Sequence, residues 1–343
     1  MRNKARFLLS KKKTIEQYEK ACSVSDIVSY SFKTNFEIGR VLEESTDSMF
    51  TVHSIESAHM IKDKKRIWFL AQAWDEEEFL QVVKLGINKF VVDNEMDLQR
   101  LLEFSDKHNT KFWLLLRIRL KEFTIHTGKY YVYGMKTVVM KKWLEKLTNT
   151  PRIEKLGIHF HRKTQNTSEW SLKYELSRIL DDKQLKIIDF VDIGGGLPVI
   201  YKNYRLENQK EIFEKIKELK VWLNSHNVSM ILEPGRFIAA PPIVLEAKIM
   251  NIYDNNIVIN CSVWNSCMDT FIANIRLLVK GEEEKGIPYT IKGNSPDSMD
   301  IIRYRVFLPE QKVGNTLLFL NAGAYNFHAN FCNLPKLETV IVD

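Results

Sequence analysis

The chain has 343 residues, 45% hydrophobic and 27% charged, with 14 Gly, 9 Pro and 4 Cys, which excludes long disordered stretches, collagen-like repeats and disulfide scaffolds. Cys22, Cys261, Cys267 and Cys332 form no CxxC pair and lack zinc-site His spacing, so they read as packing residues in a reduced compartment. The formal charge of +7 is spread over short clusters at 11–13, 62–66 and 141–142, a solvated surface that suits an anionic small molecule or cofactor and gives no reason to expect a nucleic-acid partner.

From about residue 26 to 240, short apolar β-branched runs alternate with helix-period stretches. Strands are predicted at 27–32, 49–52, 67–70, 89–92, 112–118, 156–160, 187–193 and 230–232. Helix spacing is clearest over 75–85, where Phe79, Val82 and Val83 recur on one face, and over 95–108. Eight such repeats predict an α/β protein with a (β/α)8 TIM barrel, whose working residues lie at the C-terminal ends of its strands. After Pro241-Pro242 the pattern becomes consecutive strands at 243–252, 257–261, 271–279, 289–291 and 316–320, with a turn at Asn255-Asn256 and a charged loop at 281–286. This predicts a β-rich C-terminal domain. No apolar run reaches the roughly 18 residues that cross a bilayer, and the first ten residues hold too short an apolar stretch for a secretory signal. A cytoplasmic protein without a membrane partner is expected.

Chemically useful residues follow the predicted strands. Lys33 follows the first, His53-Ser54 the second and Gln72 the third, and Arg117 lies in the fifth. His159 and His161 end the sixth, Asp192 and Gly194-Gly195-Gly196 the seventh, and Glu233, Gly235 and Arg236 the eighth. In a closed parallel barrel these positions converge on one mouth. Surface lysines are uncommon just after an apolar strand, and a desolvated lysine with a lowered pKa is what Schiff-base chemistry requires. Period-two spacing puts His159 and His161 on one side of their strand, with Ile158 and Phe160 facing the helices. A His-x-His pair can bind a metal, but Asp192 is the only further ligand found at the strand ends, so an imidazole stacked on an aromatic cofactor fits better and no metal is expected. Three glycines let backbone N–H groups approach an anion, and beside Arg236 they make a candidate phosphate cup. A carboxylate such as Glu233 can hold a proton on a heterocyclic nitrogen, as an electron sink requires.

With these motifs in this order, the sequence resembles the pyridoxal-phosphate-dependent decarboxylases of the alanine-racemase fold (fold type III), which include ornithine, diaminopimelate and carboxynorspermidine decarboxylases. The resemblance spans nearly the whole chain. Tyr30-Ser-Phe-Lys33-Thr-Asn resembles the Schiff-base lysine motif, Gly157-Ile-His-Phe-His161 the ring-stacking histidine segment and Asp192-Ile-Gly-Gly-Gly196 the phosphate loop. Glu233-Pro-Gly-Arg236 matches the glutamate on the pyridine nitrogen and the arginine beside the phosphate, and Asn321-Ala-Gly-Ala-Tyr325 the segment whose tyrosine contacts the phosphate. The resemblance implies pyridoxal 5′-phosphate as cofactor, bound by Lys33, His161, Thr164, Gly194, Gly195, Gly196, Glu233, Gly235, Arg236 and Tyr325. It also implies a cofactor-binding barrel over 26–240 and a β-rich domain, sandwich-like or Greek-key-barrel-like, over 1–25 and 241–343. Two such chains would pair head to tail as a homodimer with shared active sites. Asp297, in Gly293-Asn-Ser-Pro296-Asp297-Ser-Met-Asp300, stands where the family's partner chain holds the distal amino group of a basic substrate, and Arg117 is placed at the substrate with it.

Several positions depart from the family pattern. Pro296 replaces the cysteine assigned to reprotonating the α-carbon, and Cys267 falls one strand too early to take that part. Thr164 stands for a serine and Thr51 for an aspartate, and 272–274 lacks the Tyr-Asp pair of ornithine-specific members. The expected activity is therefore decarboxylation of a basic amino acid, or of a substrate derived from one, through Lys33, His161, Glu233 and Asp297. A racemase of the same fold, or a decarboxylase tailoring an aminocarboxypropyl group on a natural-product intermediate, is the alternative.

Overall fold

The alternation of apolar runs and helix-period stretches resolves, in this computed structural model describing residues 4–120 and 132–343, into a closed parallel barrel and a separate sheet. One unit comprises Tyr18–Pro198 and Asn208–Gly235; the other comprises Met1–Gln17, Val199–Glu207 and Arg236–Asp343. The first strand in the chain, β1 (Arg6–Leu9), belongs to the second unit. The barrel is built from β2 (Ile27–Ser31), β3 (Met49–Val52), β4 (Ile67–Phe69), β5 (Lys89–Val92), β6 (Phe112–Arg117), β7 (Ile153–His159), β8 (Phe190–Asp192) and β9 (Ser229–Leu232). Each strand pairs in parallel with the next, and β9 closes onto β2 through Ile27–Ile231 and Val28–Leu232.

All eight predicted barrel strands are present, with ends shifted by a few residues. The largest shifts are at the starts of β7 and β8, the second of which has a local cause. Residues 182–185 form a helical turn in which the Asp181 carboxylate accepts the Lys183 and Gln184 N–H groups, so the chain becomes extended only at Phe190. The helices Glu76–Lys84 and Glu95–Lys107 start where Asp75 and Asn94 accept backbone N–H groups of their first turns. Phe79 and Val82 of the first are fully buried, as their spacing requires.

Apolar side chains from most of the strands fill the barrel. Trp68, Val91, Leu115, Phe190 and Ile231 form one buried cluster, packed by Ile27, Met49, Leu70 and Trp113. Trp113 stacks on Phe190 with centroids 5.5 Å apart, and burial of side chains this size contributes about 1.5–3 kcal/mol each. The β7 position at this level must be Gly157, since a Cβ there would lie 2.4 Å from the Phe190 carbonyl oxygen and 2.7 Å from Leu115. Beyond this plug, the C-terminal strand ends carry polar side chains.

The second unit contains β1 with β10 (Ile243–Tyr253), β11 (Asn256–Ile259), β12 (Leu278–Val279), β13 (Ile287–Lys292), β14 (Ile301–Leu308), β15 (Thr316–Leu320) and β16 (Glu338–Ile341). Their order is β12-β15-β10-β11-β13-β14, with β1 pairing antiparallel to β10 and parallel to β16. Ile243, Leu245, Ala247 and Ile249 of β10 alternate into the core. Two expectations are corrected here. The β10–β11 turn is Asp254-Asn255, both left-handed at φ 46° and 59°, rather than Asn255-Asn256. Residues 271–279 are not one strand: Asp269–Ile272 is a helical turn, Asn274 is left-handed at φ 50°, and only Leu278–Val279 is extended. Phe271 instead packs on Trp264, with centroids 5.0 Å apart. Among the described residues no helix is long and apolar enough to cross a membrane.

Candidate active site

The C-terminal ends of the barrel strands carry a cluster of ionisable side chains centred on Glu233, the residue after β9. Its carboxylate accepts a hydrogen bond from the Thr51 hydroxyl on β3 and another from His159 Nε2 at the end of β7, at 3.1 Å. Thr51 Oγ1 lies 2.8 Å from Ser29 Oγ on β2, so the donor chain runs from Ser29 through Thr51 to Glu233. Asp192, at the end of β8, is fully buried, and its Oδ1 accepts the Gly194 N–H at 2.8 Å. Burial pushes the Glu233 carboxyl up, but His159, Thr51 and His53 outweigh it and hold the group at about 2. Asp192 moves the other way: burial, and then the charge on Glu233, raise it well above the ordinary aspartate value against the pull of the Gly194 N–H. Two buried carboxyls this close cannot both ionise cheaply.

Lys33 lies in the short 3-10 turn Phe32–Thr34 that follows β2. The turn is pinned on both sides. The Tyr30 hydroxyl donates to the Asn35 carbonyl at 3.0 Å, and the Asn35 side chain accepts the Glu37 and Ile38 N–H groups to start the helix Phe36–Ser45. Gly235 backs onto this turn, where a Cβ would lie 2.3 Å from Thr34 Oγ1. Lys33 keeps open surface as a residue, yet protein crowds around its side chain. The crowding decides the direction: desolvation lowers the Lys33 pKa, Glu233 opposes it and Arg117 adds to the lowering.

Two histidines complete this mouth, and each is held neutral. His53 Nδ1–H donates to the Leu70 carbonyl at 2.9 Å, which leaves Nε2 as a lone pair; that atom is buried without a hydrogen-bond partner among the described residues. Burial, and then Lys33, push its pKa down to about 4. His161 Nδ1 accepts the Gly195 N–H at 3.1 Å, so its proton sits on Nε2. As a residue His161 keeps open surface, yet burial by the surrounding protein, then Arg117 and His159, push its pKa down to about 3. Unfolded imidazoles take up a proton near pH 6.5, so from about 6.5 down to 4 the unfolded chain binds protons that the fold refuses. Stability should therefore fall as the pH falls through that window. Melting temperatures taken between about pH 7.5 and 4.5 should drop, and His53→Leu should flatten the drop; an unchanged slope would remove His53 from this account.

The glycine run is dictated by the packing of its own loop. Cβ atoms on Gly194, Gly195 and Gly196 would each lie 2.5 Å from a carbonyl oxygen, those of Phe160, Glu233 and Lys163, and Gly194 and Gly196 are left-handed at φ 64° and 104°. The Gly194 and Gly195 N–H groups already donate to Asp192 and His161. Arg117 is paired with Asp93 at 2.8 Å and lies 5.0 Å from the Tyr133 ring. Thr164 is exposed on the segment that follows His161.

The remaining candidates belong to the sheet unit. Arg236 is buried, pairs with Asp269, donates to the Tyr201 hydroxyl at 3.3 Å and lies 5.1 Å from the Tyr325 ring centroid. Burial raises the Tyr201 pKa to about 12 despite Arg236. Asp297 accepts from Trp264 Nε1 at 2.7 Å and from the Met299 N–H at 3.2 Å. The buried Asp300 accepts the Val263 N–H at 2.8 Å and the Ser295 hydroxyl at 2.6 Å.

The structure thus brings Lys33, His161, Glu233 and the glycine run to one barrel end, with Arg117 acting electrostatically on Lys33 and His161. Sequence reasoning treated Thr51 only as a departure, and Asp192 as a possible metal ligand and the first residue of the phosphate-loop motif. Their inward positions at the ends of β3 and β8 were the available signal. A ring nitrogen of His159 and a carboxyl oxygen each of Asp192 and Glu233 lie within 4.8 Å of one another, and His159 Nδ1 and Asp192 Oδ2 are buried without a hydrogen-bond partner among the described residues.

The model of the family described as pyridoxal-dependent decarboxylase, pyridoxal binding domain, matches residues 30–240. The chain belongs to the pyridoxal-dependent decarboxylases. It is 25% identical over 352 residues to diaminopimelate decarboxylase of Vibrio cholerae, covering 92% of this chain and 81% of that one. It is 23% identical over 316 residues to 2-[(L-alanin-3-ylcarbamoyl)methyl]-2-hydroxybutanedioate decarboxylase of Staphylococcus aureus, covering 81% and 77%. In fold it resembles the crystal structure of diaminopimelate decarboxylase from Helicobacter pylori complexed with L-lysine, at TM-score 0.86 and 19% identity, over 100% of this chain and 92% of that one. This pyridoxal-dependent decarboxylase is an amino-acid decarboxylase, and its cofactor is pyridoxal 5′-phosphate. The barrel mouth fits that group: it offers a desolvated primary amine, an ionised buried carboxylate, a neutral imidazole and the orphaned acceptor His53 Nε2.

Proposed function

We propose that this enzyme removes the α-carboxylate of a basic amino acid, or of an amino-acid-derived substrate with a distal cationic group. The observation that supports it most is Glu233, an ionised carboxylate held by Thr51 and His159 in the same mouth as the desolvated Lys33. When bound, pyridoxal phosphate supplies an aldehyde for a primary amine and a protonated ring that takes up the electron pair left by departing carbon dioxide. Lys33 would be the amine that joins the cofactor, and its lowered pKa keeps a larger neutral fraction available. Glu233 would hold the proton at the pyridine nitrogen, and the neutral, flat imidazole of His161 would lie against the ring.

Gly194, Gly195, Gly196, Gly235, Thr164, Arg236 and Tyr325 are assigned to the cofactor through the family resemblance, and Arg117 to the substrate. On the same ground, 1–25 and 241–343 of one copy would complete the site on 26–240 of a second, with Asp297 selecting the distal cation. An unpaired buried carboxylate would then disfavour substrates without that cation. A racemase of this fold places an arginine at the ring nitrogen; the carboxylate of Glu233 favours decarboxylation.

The test is carbon dioxide release across L-lysine, L-ornithine, L-arginine, meso-diaminopimelate and a citrate amide of 2,3-diaminopropionate. Release from one or more of the amino acids with a distal cation supports the reading. Release from the citrate amide alone would overturn distal-cation selection, and α-proton exchange without carbon dioxide would favour racemisation.

A further inference from the structure

We propose that Asp192 is a neutral acid whose hydroxyl donates to Glu233, so that Glu233 alone carries the negative charge of the buried carboxyl pair. The inference begins with the hydrogen bonds. Asp192 Oδ1 accepts the Gly194 N–H at 2.8 Å, while Oδ2 is buried and receives no hydrogen bond among the described residues. Glu233 has both oxygens engaged, Oε1 by Thr51 and Oε2 by His159. A carboxyl oxygen of Asp192 lies within 4.8 Å of a Glu233 oxygen and of a His159 ring nitrogen.

The charged groups around the pair narrow the choice of protonation state. His159 gives its Nε2 proton to Glu233, and its Nδ1 is buried without a hydrogen-bond partner among the described residues. A doubly ionised pair beside a cationic His159 would leave a bare anionic oxygen on Asp192 and a bare N–H on the imidazole, both away from water. A single proton on Asp192 Oδ2, given to Glu233, removes the orphan oxygen and leaves only the weaker cost of an unused imidazole lone pair. Of the other charges near the mouth, Arg117 is paired with Asp93, His53 is fixed with Nε2 unprotonated, and Lys33 keeps open surface. None makes a hydrogen bond to Asp192 among those described. The strong upward shift of the Asp192 carboxyl, caused by burial and by Glu233, agrees with this arrangement.

Asp192 is then a positioning residue. As a third donor after Thr51 and His159, it orients the Glu233 carboxylate and lowers its appetite for a proton. That consequence rests on the reading of Glu233 as the partner of the cofactor ring nitrogen; the protonation state itself does not.

Asparagine reproduces a neutral aspartic acid in shape, with an oxygen for the Gly194 N–H and an N–H for Glu233, whereas leucine offers neither. Infrared difference spectra of the purified protein at neutral pH, wild type minus Asp192→Asn, should contain the carbonyl stretch of a protonated carboxyl. In titrations with pyridoxal phosphate, Asp192→Asn should bind within about threefold of wild type and Asp192→Leu at least about tenfold more weakly. No protonated-carboxyl band, or a folded Asp192→Asn that binds as poorly as Asp192→Leu, overturns the proposal. If Asp192→Leu does not fold, the infrared band and the Asp192→Asn titration still decide. If wild type fails to bind pyridoxal phosphate, the reading of Glu233 falls while the infrared result stands by itself.

Discussion

Replacing Lys33 by alanine is expected to lower carbon dioxide release by on the order of 10³- to 10⁴-fold, the range lost when a positioned catalytic group is removed. Alanine keeps the 3-10 turn, because Tyr30 and Asn35 hold it through the backbone and not through the lysine. Loss of activity should therefore come without loss of fold. The decisive readout is covalent. After borohydride treatment with pyridoxal phosphate, wild type should carry the pyridoxyl group on the peptide that contains residue 33, and the variant should carry none. Attachment should also persist to lower pH than for an ordinary lysine, since desolvation and Arg117 lower the Lys33 pKa more than Glu233 raises it. Attachment at another lysine would end the proposal for Lys33.

The second large effect is expected at Glu233. Glutamine preserves the shape and one acceptor oxygen, but it removes the anion that Thr51 and His159 stabilise and that would hold a proton on the ring nitrogen. Glu233→Gln should lower kcat by about 10²- to 10³-fold, comparable to removal of one preorganised electrostatic partner. Cofactor affinity should also fall, but by less than kcat, because the covalent link through Lys33 remains. Steady-state kinetics with a cofactor titration separate the two. A variant with kcat within about threefold of wild type would show that the ring nitrogen does not depend on this carboxylate.

The barrel was legible because each of its strands is a short apolar run set off by a helix-period stretch, a signal that survives without any partner. Lys33, His161 and Glu233 were legible for a related reason: the strand-end rule turns a position along the chain into a position at the mouth. The hydrogen bonds around them were not. Thr51 and Glu233 lie 182 residues apart, and His159 and Glu233 74 apart, so nothing local marks them as partners. Asp192 read as a feature of the glycine run, and its role emerged only once β8 and β9 were neighbours. In the sheet unit, β14 escaped notice because Arg303 is buried within it and Arg305 is left-handed at φ 49°, which breaks the period-two pattern. Arg303 is affordable there because it donates to the Leu277 carbonyl and to Glu282. Phe271 and Ile272 misled in the opposite sense, since their β-forming side chains sit in a helical turn whose Asp269 pairs with Arg236.

The pairing of β1 sets an order of events during synthesis. It lies between β10 and β16, and the segment behind it is tied down where the Ser10 hydroxyl donates to Asp343, 333 residues along the chain. At ordinary translation speeds of about 5–20 residues per second, β1 leaves the ribosome roughly 15–65 s before its parallel partner exists. Throughout that interval Phe7 and Leu9, both buried in the finished sheet, belong to a nascent ribbon with an open edge. The barrel needs nothing from that ribbon for its own strand pairing, so it can close while the nascent N-terminal strand waits.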